Sequence, residues 1–250
     1  MKKASMLVAL TILVLFRSPI ARAQTADEII EKHIAASGGR AALAKITSRV
    51  ATGTISLTTP GGDVAGTIEI DGKAPNKTRT LIRVDLSQFG LGQIVQDQRF
   101  DGTAGFALDS MNGNRDITGD QLEIAKFGRF PSPFTDYKAA GVKLELLGKE
   151  KVGAGDAYVL KVTPPAGPSP RVFIDAESYL IVKTVITLNV PQLGTDVEQT
   201  VETSDYRDVD GVKVAFHTRS VNSLQAVTIT FTKVEQNTAI DDAIFSKPAQ

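Results

Sequence analysis

His33 and His217 are the only imidazoles in the 250 residues, and the chain contains no Cys. Without Cys there are no disulfides, thiolate nucleophiles, zinc–thiolate sites or iron–sulfur clusters. Two imidazoles are few for a multi-histidine metal centre, so no metal and no cofactor is expected. His217 falls in the strand-like run Val212–Ser220, where Val212, Val214 and Phe216 take one face. It shares the other face with Lys213 and Arg219, and a solvated strand face accounts for it. His33 sits on the flank of an amphipathic helix, as expected of a partly buried structural imidazole. The chain lacks a Gly-x-Ser-x-Gly elbow, a phosphate loop, a His-Glu-x-x-His helix and a dinucleotide fingerprint after a strand. No catalytic residue is assigned. A Ser/His/Asp site built from distant residues is defined by geometry rather than order, and it stays open as a third reading.

The carboxylates have structural explanations. Asp120 and Glu123 flank a helix start, where acids favour the macrodipole. Asp205, Asp208 and Asp210 cluster at a turn, where Asp bonds local backbone; as a calcium loop the group is short of ligands. Glu198 and Glu202 share one face of a strand. The remaining chemistry is apolar. Leu180, Val182, Ile186 and Leu188 alternate with Ile181 and Val185 on the opposite face. Val227, Ile229 and Phe231 stand opposite small or Thr residues. Strands with apolar atoms on both faces must be covered on both, by helices, packed side chains or a ligand.

Charge and targeting narrow the class. Lys and Arg number 28, as do Asp and Glu, so no basic excess draws the chain to phosphates and no nucleic-acid partner is expected. Residues 1–23 read as a signal peptide: Lys2 and Lys3, an apolar run Met6–Phe16 broken only by Thr11, then Ala21-Arg22-Ala23. The apolar run is shorter than the roughly 20 residues needed to span a bilayer. Cleavage after Ala23 removes Lys2, Lys3, Arg17 and Arg22, leaving 24 basic against 28 acidic residues and a formal charge of −4. A periplasmic protein without stable membrane insertion follows as the expectation. Residues 24–250 show no linker and no repeat, so a single domain is expected there.

Thr25-Ala26-Asp27-Glu28 is a capping box opening a helix that Gly38-Gly39 closes, with a short second helix through Ala41–Ile46. About eleven antiparallel strands follow, separated by turns such as Asp71-Gly72, Asp101-Gly102 and Asp208-Val209-Asp210-Gly211. The fold class is mainly β: one curved sheet or half-open barrel covered by helices, with a two-sheet sandwich as the alternative. Arg79 and Arg83 alternate with Ile82 and Val84 and are expected to face outward. A mid-chain insertion interrupts the strands. There Thr118-Gly119-Asp120-Gln121 reads as a second capping box before a helix Gln121–Arg129. Phe127, Phe130 and Phe134 make this segment either a plug completing the core or a lid over a cavity mouth.

The order of elements resembles the outer-membrane lipoprotein-sorting (LolA-like) superfamily. The likeness runs over nearly all of residues 24–250 and is clearest from Leu146-Leu147-Gly148-Lys149-Glu150-Lys151-Val152 into Asp156–Pro164. It continues in Phe173-Ile174-Asp175-Ala176-Glu177, in Asp205–Val212 and in Asp242-Ala243-Ile244-Phe245. The resemblance implies an open β-barrel with helices over an apolar face that shelters acyl chains of lipids or lipoproteins in the periplasm. Such carriers make and break no bond. The ligand-binding residues expected on that basis are Ile55, Leu57, Ile68, Ile70, Ile82, Val84, Ile186, Leu188, Val214 and Phe216, with Phe127, Phe130 and Phe134 at the mouth. The alternative is a non-catalytic module with a filled core that holds an envelope protein partner.

Overall fold

The computed structural model describes residues 24–59, 62–128, 130–190 and 195–248. The expected signal peptide, residues 1–23, lies outside the described residues. Helices α1 (Ala26–Ala36) and α2 (Gly39–Leu43) precede strands β1 (Ser48–Thr59), β2 (Gly62–Lys73), β3 (Lys77–Asp85), β4 (Gln93–Phe100), β5 (Gly105–Asp109) and β6 (Arg115–Ile117). Helix α3 (Gly119–Phe127) and an aromatic loop lead to β7 (Lys143–Val152), β8 (Gly155–Thr163), β9 (Arg171–Asp175) and β10 (Ile181–Val190). The chain ends with β11 (Thr195–Val209), β12 (Val212–Val221), β13 (Ala226–Gln236) and a 3-10 turn, Asp242–Phe245.

All thirteen strands form one antiparallel sheet in the order β6-β5-β4-β3-β2-β1-β13-β12-β11-β10-β9-β8-β7. The chain steps outward from β1 to β6, crosses through α3 to the far edge at β7, and returns to pair β13 with β1. The edges β6 and β7 do not pair, so the sheet is not closed. One sheet replaces the sandwich alternative, and thirteen strands replace about eleven. A three-residue strand such as β6 is too short to show an alternation, which is why Arg115–Ile117 carried no signal.

The capping box at α1 forms as expected. The Glu28 amide donates to Thr25 Oγ1 at 3.2 Å, and the Thr25 amide donates to Glu28 Oε2 at 2.9 Å. Ile29, Ile30 and Ile34 then bury completely or nearly so against the sheet, each contributing about 1.5–3 kcal/mol. Gly38 ends α1 at φ +118°, with its missing Cβ only 2.3 Å from the Gly211 carbonyl oxygen. Only glycine permits that approach, and Lys213 N–H donates to the Ser37 carbonyl across it at 3.1 Å. The second helix starts and ends earlier than expected, at Gly39 and Leu43. Helix α3 likewise runs Gly119–Phe127 rather than Gln121–Arg129, and its expected capping box does not form: Thr118 is the N-cap, but its side chain makes no capping bond. Gly119, at φ +58°, turns the chain away from the geometry that would aim the hydroxyl at the helix amides.

The face carrying α1 is the inner face. Beneath α1, Leu160, Val162, Val172, Ile174, Val212, Val214 and Phe216 form the main core with the helix isoleucines. The opposite, outer face of β8–β10 holds a smaller cluster of Ala157, Val159, Phe173 and Val185. A register shift between Ile181 and Lys183 corrects the strict alternation expected there. Ile181 packs into the inner core, whereas Val182 joins the outer cluster.

Candidate ligand groove

Away from α1, the inner face of β1–β4 and the start of β13 is walled by apolar side chains in register. One rung reads Ile94–Val84–Gly66–Ile55–Ile229, and the neighbouring rung toward the strand tips reads Val64–Leu57–Val227. Directly opposed residues share a face, so these chains line up across five strands. They enclose a groove of about 320 Å³ with Leu86 and Met111, where, among the described residues, Gln96 and Gln225 are the only polar lining. That volume is at the small end of ligand cavities, roughly 300–1,000 Å³. The turns at this end of the sheet carry Phe89, Leu91, Met111 and Leu224, each more than half exposed. The groove therefore opens onto an apolar rim.

Four expected site residues, Ile55, Leu57, Ile82 and Val84, line the groove together. Ile68 is buried on the rung of Ile82, and Ile70 lies one rung further along, opposite Thr80 and Ala51. Ile186 and Leu188 stand on β10, paired with Gln199 and Val197 and separated from β13 by two strands. Val214 and Phe216 belong to the core under α1. The three phenylalanines lie elsewhere than the groove lining. Phe134 is buried, with its ring edge-on to His33 at 5.8 Å and to Phe127 at 6.5 Å. Phe130 lies over Gly72, where a Cβ would be 2.6 Å from its ring, and stacks on the Arg49 guanidinium. Val64, Leu86, Ile94 and Val227 complete the walls and were readable as in-phase alternation. Met111 sits in a turn, where no periodicity marks it.

Comparison with family models found no match, and no curated protein matches. Solved structures do. A LolA superfamily protein from Nitrosomonas europaea superposes with a TM-score of 0.59 at 15% identity, covering 90% of this chain and 99% of that one. A putative outer membrane lipoprotein-sorting protein domain from Vibrio parahaemolyticus gives 0.56 at 14% identity, covering 87% and 94%. The chain has the LolA-like fold. A DUF1329 family protein from Desulfovibrio piger ATCC 29098 shares it, with a TM-score of 0.58 at 13% identity over 89% and 97%.

The ionisable groups of this LolA-like sheet lie mostly away from the groove. His33, a residue of α1, is buried on the core side of that helix, where burial lowers its pKa, and its Nδ1 is 3.0 Å from the Tyr179 carbonyl oxygen. His217 is on the outer face, with Nδ1 3.2 Å from Thr230 Oγ1. The two imidazoles share no site. Arg79 points outward as expected but is covered rather than solvated, its side chain only 14% exposed. It bonds Asp97 at 2.9 and 3.1 Å and reaches Glu69 and Asp71. Burial raises Asp97, but the bonds from Arg79 and Arg99 outweigh it and hold the carboxyl below its usual range. Burial first, then the Glu69 carboxylate, push Asp71 up to about 6 against the pull of Arg79. The 3-10 turn packs against β3 and β4, with Phe245 buried and Asp242 paired to Lys73 and Lys77. Among the described residues, no cluster of three or more His, Asp or Glu is placed to hold a metal, and no helix is long and apolar enough to cross a membrane.

Proposed function

We propose that this chain is a periplasmic carrier or binding protein that holds a hydrophobic ligand, an acyl chain of a lipid or lipoprotein, in the β1–β4 groove. The observation carrying this reading is the nearly all-apolar lining, from Ile55 and Val84 to Ile94 and Val227. Water gains little there, whereas each buried methylene of an acyl chain is worth ~0.8 kcal/mol. The work is burial, with no bond made or broken, and needs no catalytic residue. In this reading residues 1–23 are a signal peptide, cleaved after Ala23, and residues 24–250 act as one domain. The lipoprotein-sorting description of the similar Vibrio protein supports acyl chains as cargo.

Native mass spectrometry of protein isolated from the periplasm without detergent tests the proposal. A mass beginning at Gln24 with a bound lipid or acylated peptide is expected. Val84→Asp places an unpaired carboxylate in the groove and should abolish retention while leaving the circular dichroism spectrum unchanged. An apo mass that persists after incubation with lipid would sink the carrier reading. The exposed rim of Phe89, Leu91, Met111 and Leu224 then favours the second reading, an envelope module that docks a partner protein.

A further inference from the structure

The two ends of the sheet differ in charge. At the end where the groove opens, the residues joining β1 to β2, β3 to β4, β5 to β6 and β12 to β13 include no Asp, Glu, Lys or Arg. Those joining β8 to β9 and β10 to β11 at the same end include none either, in a chain that is 22% charged. At the opposite end, three of the five connections contain an acid: Asp101, Glu177 and Asp210. The charges that border the turns around the groove mouth are directed away or neutralised. Asp63 and Asp85 alternate with the groove-lining Val64, Val84 and Leu86 and so face outward. Asp109 is buried, accepts from the Met111 and Asn112 amides, and lies 3.8 Å from Arg115, the one cation bordering these turns.

Hairpin tips in water are ordinarily polar, yet these carry large apolar side chains. Among the described residues, four of the five large hydrophobics left exposed are on them: Phe89, Leu91, Met111 and Leu224; the fifth, Leu147, is on the edge strand β7. The same tips close their own backbone hydrogen bonds. The Phe89 and Leu91 amides donate to the Leu86 carbonyl oxygen at 2.9 and 3.2 Å, Met111 to Asp109 Oδ1 at 2.9 Å, and Leu224 to Asn222 Oδ1 at 2.9 Å. A turn entering a water-poor layer needs both properties, because a bare amide or a charge is costly there. The apolar chains stand on separate turns spread over eight consecutive strands, β6 to β12, with the groove mouth among them. A protein partner would have to match each tip in shape, whereas a fluid lipid layer accepts protrusions of any spacing.

We propose that this end of the sheet docks reversibly on a lipid bilayer, with Phe89, Leu91, Met111 and Leu224 entering the head-group boundary and the groove mouth facing the acyl chains. The docking rests on the carrier reading for its purpose: cargo then passes between groove and bilayer without crossing water. The test is sedimentation of the whole protein with phosphatidylcholine vesicles, with and without phosphatidylglycerol, at about 0.1 and 1 M salt. Binding to the neutral vesicles is expected, undiminished by salt and not improved by the anionic lipid. Leu91→Gln with Leu224→Gln should weaken it at least about ten-fold and leave the melting temperature unchanged, since both side chains are exposed. The chain contains no Trp, so Leu91→Trp is a lone reporter whose emission should shift to the blue on vesicles. Ala154→Trp, in the β7–β8 turn at the opposite end, should show no shift. Binding that requires phosphatidylglycerol and is lost at high salt, or that survives the double substitution, overturns the docking. A protein that retains lipid in solution but ignores vesicles overturns the docking and leaves the carrier reading standing. One that binds vesicles through these tips yet never retains lipid supports the docking and overturns the carrier reading.

Discussion

Asp71 is a carboxyl placed where its charge is disfavoured. It is buried on the outer face beside Glu69, and only Arg79, shared with Asp97, opposes that cost. With its pKa raised to about 6, the folded chain holds this proton more tightly than the unfolded chain, whose carboxyl titrates near 3.9. Stability from this group is therefore present below pH 4 and is lost as pH rises through about 6. Asp71→Asn keeps an oxygen for Arg79 and removes the titration. Denaturant melts should show the variant equal to the parent near pH 4 and more stable by about 1–2 kcal/mol at pH 7.5, a figure discounted for the weakened contact with Arg79. A difference independent of pH would show that Asp71 does not titrate in this range. Val84→Asp is the matching case on the inner face, where, among the described residues, no arginine lines the groove to compensate a carboxylate.

At the scale of elements, the joint between α1 and the β11–β12 turn sets how the helix lies on the sheet. Gly38 and Gly39 both have positive φ, but only Gly38 is pressed against backbone; a Cβ on Gly39 meets nothing within 4 Å. Gly39→Ala should cost about 1–2 kcal/mol from the left-handed backbone alone. Gly38→Ala adds a collision with the Gly211 carbonyl and should cost at least about 1 kcal/mol more. Thermal melts of the two variants check the order, and equal losses would mean that the helix–turn contact has slack. The insertion shows the same dependence on local backbone. Its capping-box letters are present at Thr118 and Gln121, yet a glycine between them leaves the box unmade. Its phenylalanines spread over different partners: Phe134 against His33, Phe130 over Gly72 and Arg49, and neither in the groove wall.

Across the whole molecule, the thirteen-strand order makes β1 the hub, paired along its length with both β2 and β13, while β6 holds on by three rungs at an open edge. Local opening should follow that gradient. Amide exchange is expected to be slowest in β1, β2 and β13 and fastest in β6; protection of β6 equal to that of β1 would imply that its edge is covered. Much of this architecture is legible in the residues, because strand alternation and turn letters are local properties with a two-residue period. That is how Ile55, Leu57, Ile82 and Val84 were placed on one wall, and how the helix at Thr25 and its glycine stop were found. Distances between strands far apart in the chain have no such local signal. Whether an inward-facing residue lies under α1, as Val214 and Phe216 do, or in open groove depends on where β7–β12 return after α3 crosses the sheet. The sequence by itself determined the β class, the inner and outer sets of most strands and the lack of thiol chemistry. Only the tertiary structure decided that the inner face is filled on one side and hollow on the other, because α1, α2 and the aromatic loop after α3 pack into one core with β7–β9 and β12, while Ile55, Leu57, Ile82 and Val84 stand outside it in the groove.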